Sequence, residues 1–122
     1  MKTLCVDFDG VINLYTSGWT WLSHIGDIPD RPVEGAFDWL EEMVKHFKVY
    51  IYSSRSKFEG GIYFMKKWFI KHGFSSEVLN KLEFPTQKPP AHLIIDDRAY
   101  LFKGPSSFPS VEFIQNFKPW NK

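Results

Sequence analysis

In "LCVDFDGVIN", residues 4–13, an apolar run ends in Asp7 and Asp9, with one phenylalanine between them and Gly10 directly after. A second acidic pair, Asp96 and Asp97, closes the apolar run "HLII", and Ser53 and Ser54 close "VYIY". Lys88 stands a few residues before the second pair. An ionised carboxylate taken out of water costs several kcal/mol unless a cation or donors compensate it. Either pair alone reads as turn residues, because Asp-Gly and Asp-Asp are common in turns. Four carboxylates and a hydroxyl brought to one edge read differently. They repel one another unless a hard divalent cation holds them, and oxygen donors of this kind suit Mg²⁺. Gly10 lets the backbone turn tightly and approach a ligand.

Strand and helix patterns alternate along the chain, which predicts βα units and a parallel sheet. The first strand is expected over residues 4–8. "AFDWLEEMVKHF", residues 36–47, repeats apolar residues at helical spacing with Glu41, Glu42 and Lys45 outside. "KVYIY" predicts a second strand over 48–52, and a second helix follows over 61–72 with Gly73 as its stop. "KLEFP" is a weak strand, "HLIID" over 92–96 is the clearest late one, and Ser110 caps a short closing helix. Side chains alternate along a strand, so Asp7 and Asp9 are expected on one side and Phe8 on the other. Ligands of parallel α/β sheets bind outside the carboxyl ends of the strands, where Asp7, Asp9, Ser53, Ser54, Asp96 and Asp97 all fall.

The 122 residues suit one domain with one core. Hydrophobic residues at 43% exclude a disordered chain. Fifteen basic against fourteen acidic side chains leave a net charge of +1, so no global field recruits nucleic acid or an anionic membrane. Cys5 is the single cysteine and lies in the first apolar run, as a core-filling thiol in a reducing compartment would. With no signal-peptide pattern and no run of eighteen apolar residues, the expectation is a cytoplasmic protein away from membranes. The histidines show no metal spacing.

Residues 14–32 resist the alternation. A long aperiodic stretch inside a compact domain is usually functional, and this one leaves directly from the first acidic pair. Tyr15, Trp19, Trp21, Leu22 and Ile25 suggest a flap packed by its own aromatics. Trp19 and Trp21 are candidates to stack on a substrate, with core or interface packing as the plainer alternative.

The order Asp-x-Asp, Ser, Lys, Asp-Asp resembles the haloacid dehalogenase (HAD) superfamily of Asp-dependent phosphohydrolases, through "VDFDGV", "VYIYS", "KPP" and "LIIDD". Receiver domains also gather acids, Ser or Thr and Lys around Mg²⁺, but in another order. "TSGW", "IPDRPVEGA", "SSR" and "FPTQKPPAHLIIDDRA" resemble small HAD proteins of phage and bacterial genomes, mostly known as predicted hydrolases. The "SSR" turn is also similar to the Ser-Gly-Arg turn of phage polynucleotide kinase phosphatase halves, a similarity confined to the turn.

The resemblance implies a single HAD-like Rossmannoid domain over 1–122, three-layered around a mainly parallel sheet, with a short flap and no cap. It implies Asp7 as the nucleophile forming an aspartyl-phosphate and Asp9 as general acid and base. Mg²⁺ would be bound by Asp7, Asp96, the Asp9 main-chain carbonyl, and Asp97 directly or through water. Ser53, Ser54, Gly10 and Lys88 would hold the phosphoryl group, and Arg55 and Arg98 would add a second layer of phosphate or substrate binding or stand on the surface. An uncapped site admits a nucleic-acid terminus, or needs the flap or a homo-oligomer around a phosphorylated small molecule. The alternative is a catalytically silent phosphate- or nucleotide-binding protein.

Overall fold

The apolar stretches Thr3–Val6 (β1), Lys48–Ile51 (β2) and Leu93–Ile95 (β3) form an open parallel sheet in the order β2-β1-β3. This computed structural model describes residues 1–19 and 25–122. The register sets Leu4 beside Val49, and Val6 between Ile51 and Ile95, on one face of the sheet. Leu4, Val6, Val49 and Ile51 are buried there with Phe8, and Ile95 packs against them.

The helices are Ala36–Met43 (α1), Gly61–Lys71 (α2), Ser76–Leu79 (α3) and Val111–Asn116 (α4), with 3₁₀ turns at Ser54–Lys57 and Pro105–Ser107. Leu40 of α1 and Met65, Trp68 and Phe69 of α2 enter the same core as Phe8. Phe37 stacks on Phe69 with centroids 5.6 Å apart, and Phe8 meets Trp68 edge-on at 4.9 Å. Both helices therefore cover one face. The opposite face carries Cys5, Tyr50 and Ile94, and α4, the helix after β3, is exposed along its whole length. The expected third layer is thus not built by a packed helix among the described residues. The reason is local: α4 has six residues, and its Phe113 packs at 5.5 Å on Tyr100 rather than on the sheet.

The expected strand at "KLEFP" shrinks to one parallel bridge, Tyr50 to Glu83, held by Ile51 N–H to Glu83 O and Glu83 N–H to Val49 O. From β1 the chain steps outward through β2 to Glu83, then crosses back to the other side of β1. The carboxyl end of β1 is therefore a topological switch point. The strands stop one or two residues short of their expected ends, although single bonds continue, such as Asp7 N–H to Ile95 O at 2.9 Å. Helix α1 closes at Met43 and continues to Phe47 only as turns, whereas Ser110 caps α4 as expected by accepting from Phe113 N–H.

The described ends of residues 14–32 meet at a neck, where Leu14 N–H donates to Arg31 O and Val33 N–H to Ile12 O. Asp30 accepts from the Ser17 amide and hydroxyl and from Thr16 Oγ1. Hydrogen bonds rather than aromatic packing hold this neck. Trp21, Leu22 and His24 lie outside the described residues. Among the described residues, no helix is long and apolar enough to cross a membrane.

Candidate metal and phosphate site

Because β1 and β3 are adjacent, parallel and in register, Asp7 and the Asp96–Asp97 pair leave the sheet side by side. Carboxylate oxygens of Asp7, Asp96 and Asp97 all lie within 4.8 Å of one another. Burial, and then the Asp96 charge, push the Asp7 carboxyl up to about 8, while its Oδ1 accepts from Phe8 N–H at 2.9 Å. Asp96 Oδ1 accepts from Arg98 N–H at 2.8 Å, which folds the Asp96 turn toward the cluster. Asp97 Oδ1 is buried and has no hydrogen-bond partner among the described residues. Gly10, at φ +89°, is pressed against Asp97 so closely that a Cβ there would overlap the carboxylate. Three oxygen donors, one of them a buried orphan, and a glycine that keeps their space open fit a hard divalent cation.

A cavity of about 240 Å³ adjoins the cluster, lined by Asp7, Ser53, Ser54, Lys88, Asp96 and Arg98, with Cys5 and Ile94 on its sheet side. Of the residues expected at three strand ends, Asp7, Ser53, Ser54 and Asp96 thus share one concavity, while Asp9 and Asp97 are not in its lining. A larger groove, about 450 Å³, runs between residues 26–29 and α2 away from the acids, and its lining offers no such donor set. Ser53 is buried and caps the turn that follows β2: its Oγ accepts from Arg55 N–H at 3.2 Å, which leaves the hydroxyl proton free to donate. Ser54, Lys88 and Arg98 are exposed.

Asp9 departs from expectation. Its carboxylate lies outside the three-acid cluster, where Oδ1 accepts from Asn13 Nδ2 at 2.9 Å and Oδ2 from Arg55 Nε at 2.7 Å. β1 ends at Val6, and Asp9 lies beyond it in an isolated bridge to Asn13. Arg55 is not a surface residue: its side chain is 4% exposed, against 13% for Asp9. Its guanidinium lies 5.2 Å from the Trp19 ring and 5.9 Å from the Tyr15 ring. Gly61 explains how it is seated, since α2 begins so close to the Arg55 carbonyl that a Cβ would not fit. Trp19 is exposed and stands over Arg55; the placement expected for Trp21 lies outside the described residues.

Sequence reasoning missed Asn13 and Trp120. Asn13, four residues beyond Asp9 in a tight turn, is buried beside it, and that i to i+4 spacing was the available signal. Trp120 Nε1 donates to Gly10 O at 2.7 Å, and Asn121 Nδ2 to Leu14 O at 2.6 Å, so residues 120 and 121 pin the loop that carries the acids. Nothing local in the sequence announces contacts across more than a hundred residues. Comparisons with protein-family models, curated proteins and solved structures return no match for this chain.

Proposed function

We propose that the chain is a Mg²⁺-dependent phosphomonoester hydrolase working through an aspartyl-phosphate on Asp7. The observation that supports it most is the convergence of Asp7, Asp96 and Asp97 beside a cavity that also holds the Ser53 hydroxyl and Lys88. Asp7, Asp96 and Asp97 would hold the cation, which when bound offsets the charge of the acids and of the phosphoryl oxygens. Asp7 attacks phosphorus through one carboxylate oxygen, and the ester P–O bond breaks. The leaving oxygen takes a proton from Asp9. Water then attacks the same phosphorus, the Asp7 O–P bond breaks, Asp9 recovers a proton, and the products are alcohol and inorganic phosphate. Ser53 and Lys88 donate to the phosphoryl oxygens, where charge stabilisation contributes most.

The competing reading, a phosphate- or nucleotide-binding protein without turnover, is favoured by one observation: both oxygens of Asp9 already have partners, Asn13 and Arg55. Proton transfer then has to use a remaining lone pair of one of these oxygens or displace a partner. Phosphate release from a panel of nucleotides, sugar phosphates and phosphate-ended oligonucleotides, with Mg²⁺ or with chelator, separates the two. Turnover that needs Mg²⁺ and disappears in Asp7→Asn is expected, together with an Asp7 adduct of beryllium fluoride. Binding of phosphate ligands with neither turnover nor adduct would overturn hydrolysis in favour of the binder.

A further inference from the structure

In the proposed reaction the leaving group departs on the side of Asp9, so whatever lies beyond Asp9 meets the alcohol half of the substrate. Arg55 lies there, ion-paired to Asp9 at 2.7 Å. Beyond Arg55 stand aromatic rings: Tyr15 and Trp19 face its guanidinium, and Trp19 stacks on Phe58 with centroids 6.4 Å apart and planes inclined by 21°. Trp19 is 46% exposed and Phe58 49% exposed, so the stacked pair lies at the surface instead of filling the core. Cations alternate with the rings. Lys57 Nζ lies 5.6 Å from the Phe58 ring and Lys122 Nζ 5.4 Å from the Tyr15 ring. An apolar ligand has no use for three interleaved cations, and a sugar face can lie on a ring but offers no extended π surface to the stacked pair. A planar base that carries phosphate uses both.

We propose that Trp19 and Phe58 form a stacking platform for a nucleobase, with Arg55, Lys57 and Lys122 around it, so that the substrate is a nucleoside phosphomonoester. This rests on the hydrolase reading, because that reading fixes which side the alcohol occupies. Phe58 follows the turn that begins at the buried Ser53, so the phosphoryl-binding hydroxyl and the platform belong to one short segment. Free nucleotides and nucleic-acid ends share this chemistry.

The test compares each substrate with its base-free counterpart: adenosine 5′-monophosphate against ribose 5-phosphate, and a 3′-phosphorylated oligonucleotide against the same strand with an abasic terminal nucleotide. The full chain is assayed with Mg²⁺. A base stack is worth about tenfold or more in affinity, so the wild type should prefer the base-bearing member of at least one pair by about tenfold in kcat/KM. Trp19→Ala and Phe58→Ala should shrink that preference to about threefold or less. Tyr63→Ala, which removes a comparably exposed ring on α2, should keep it. Preference confined to the oligonucleotide pair assigns the source as nucleic-acid ends, and preference in the mononucleotide pair assigns free nucleotides.

No base preference in the wild type, or preference retained in both platform variants, overturns the proposal. If nothing is hydrolysed, titration of tryptophan fluorescence with adenosine 5′-monophosphate and with ribose 5-phosphate decides it separately. Saturable quenching by the nucleotide alone, lost in Trp19→Ala, keeps the platform while the hydrolase reading fails. Absence of such quenching overturns the platform as well.

Discussion

The Asp9–Arg55 pair makes the sharpest energetic claim of this fold. Arg55→Met keeps most of the side-chain stem and removes the guanidinium, leaving Asp9 87% buried by complement of its 13% exposure and supported only by Asn13 Nδ2. Breaking a buried pair from one side costs about 3–5 kcal/mol. The surviving Asn13 bond places this case near the lower end, about 3 kcal/mol. An exposed pair such as Lys45–Glu42 contributes far less, because solvent screens it. At roughly 2–8 °C per kcal/mol for domains bracketing this size, Arg55→Met should melt on the order of 10 °C lower. Urea unfolding of wild type, Arg55→Met, Asp9→Asn and the double variant closes a double-mutant cycle. A coupling of about 2 kcal/mol is expected, because the double variant leaves no uncompensated charge. Coupling below about 0.5 kcal/mol would mean that the pair behaves like a surface one, and the account of Arg55 as a buried positioner of Asp9 would fail.

Further outcomes follow from the acid cluster and its supports. Asp7 is lifted to about 8 by burial and by Asp96, so between the ordinary Asp value of ~3.9 and about 8 the fold holds a proton that the unfolded chain releases. In chelator, melting temperature should therefore fall from pH 4 to pH 8 and level off above; Mg²⁺ should raise it at pH 8 far more than at pH 5, and a flat, Mg²⁺-independent profile refutes the cluster. Gly10→Ala, forced into φ +89° against Asp97, should cost about 1–3 kcal/mol in urea unfolding. It should also weaken Mg²⁺ binding measured by calorimetry, and wild-type values for both would remove Gly10 from the cradle. Trp120→Phe keeps a ring and loses the donor to Gly10 O, so unfolding free energy should drop by about 1 kcal/mol; no drop would show that residue 120 does not brace the acid loop.

The sequence made part of this arrangement legible because some of it depends only on strand position. Asp7 and Asp96 meet because two parallel strands in register end together, and Ser53 and Lys88 join them at the same edge. Rules of local periodicity stop where regular structure stops. The partners of Asp9 lie beyond the end of β1 at Val6, where its carboxylate meets Arg55 and Asn13. Arg55 was expected either to bind phosphate or substrate or to stand on the surface, and burial beside Asp9 was not foreseen because its partner lies 46 positions away. That no helix packs on the opposite face of the sheet among the described residues was equally hidden, since the Ser110 signal announces a helix but not what that helix packs against.

These failures fall on one half of the site. The half proposed to hold metal and phosphoryl is built from strand ends, whose geometry is set by the sheet. The half beyond Asp9 is built from a loop closed at residues 14 and 31, a 3₁₀ turn and residues 120 and 121, held by single hydrogen bonds and a buried ion pair. In the proposed reaction the sheet edge fixes where phosphorus sits whatever alcohol is attached to it. Discrimination among alcohols then has to come from the loop half, and in an uncapped site the groups there must bind without being enclosed. Flat rings braced by cations meet that condition, because stacking needs only one accessible face.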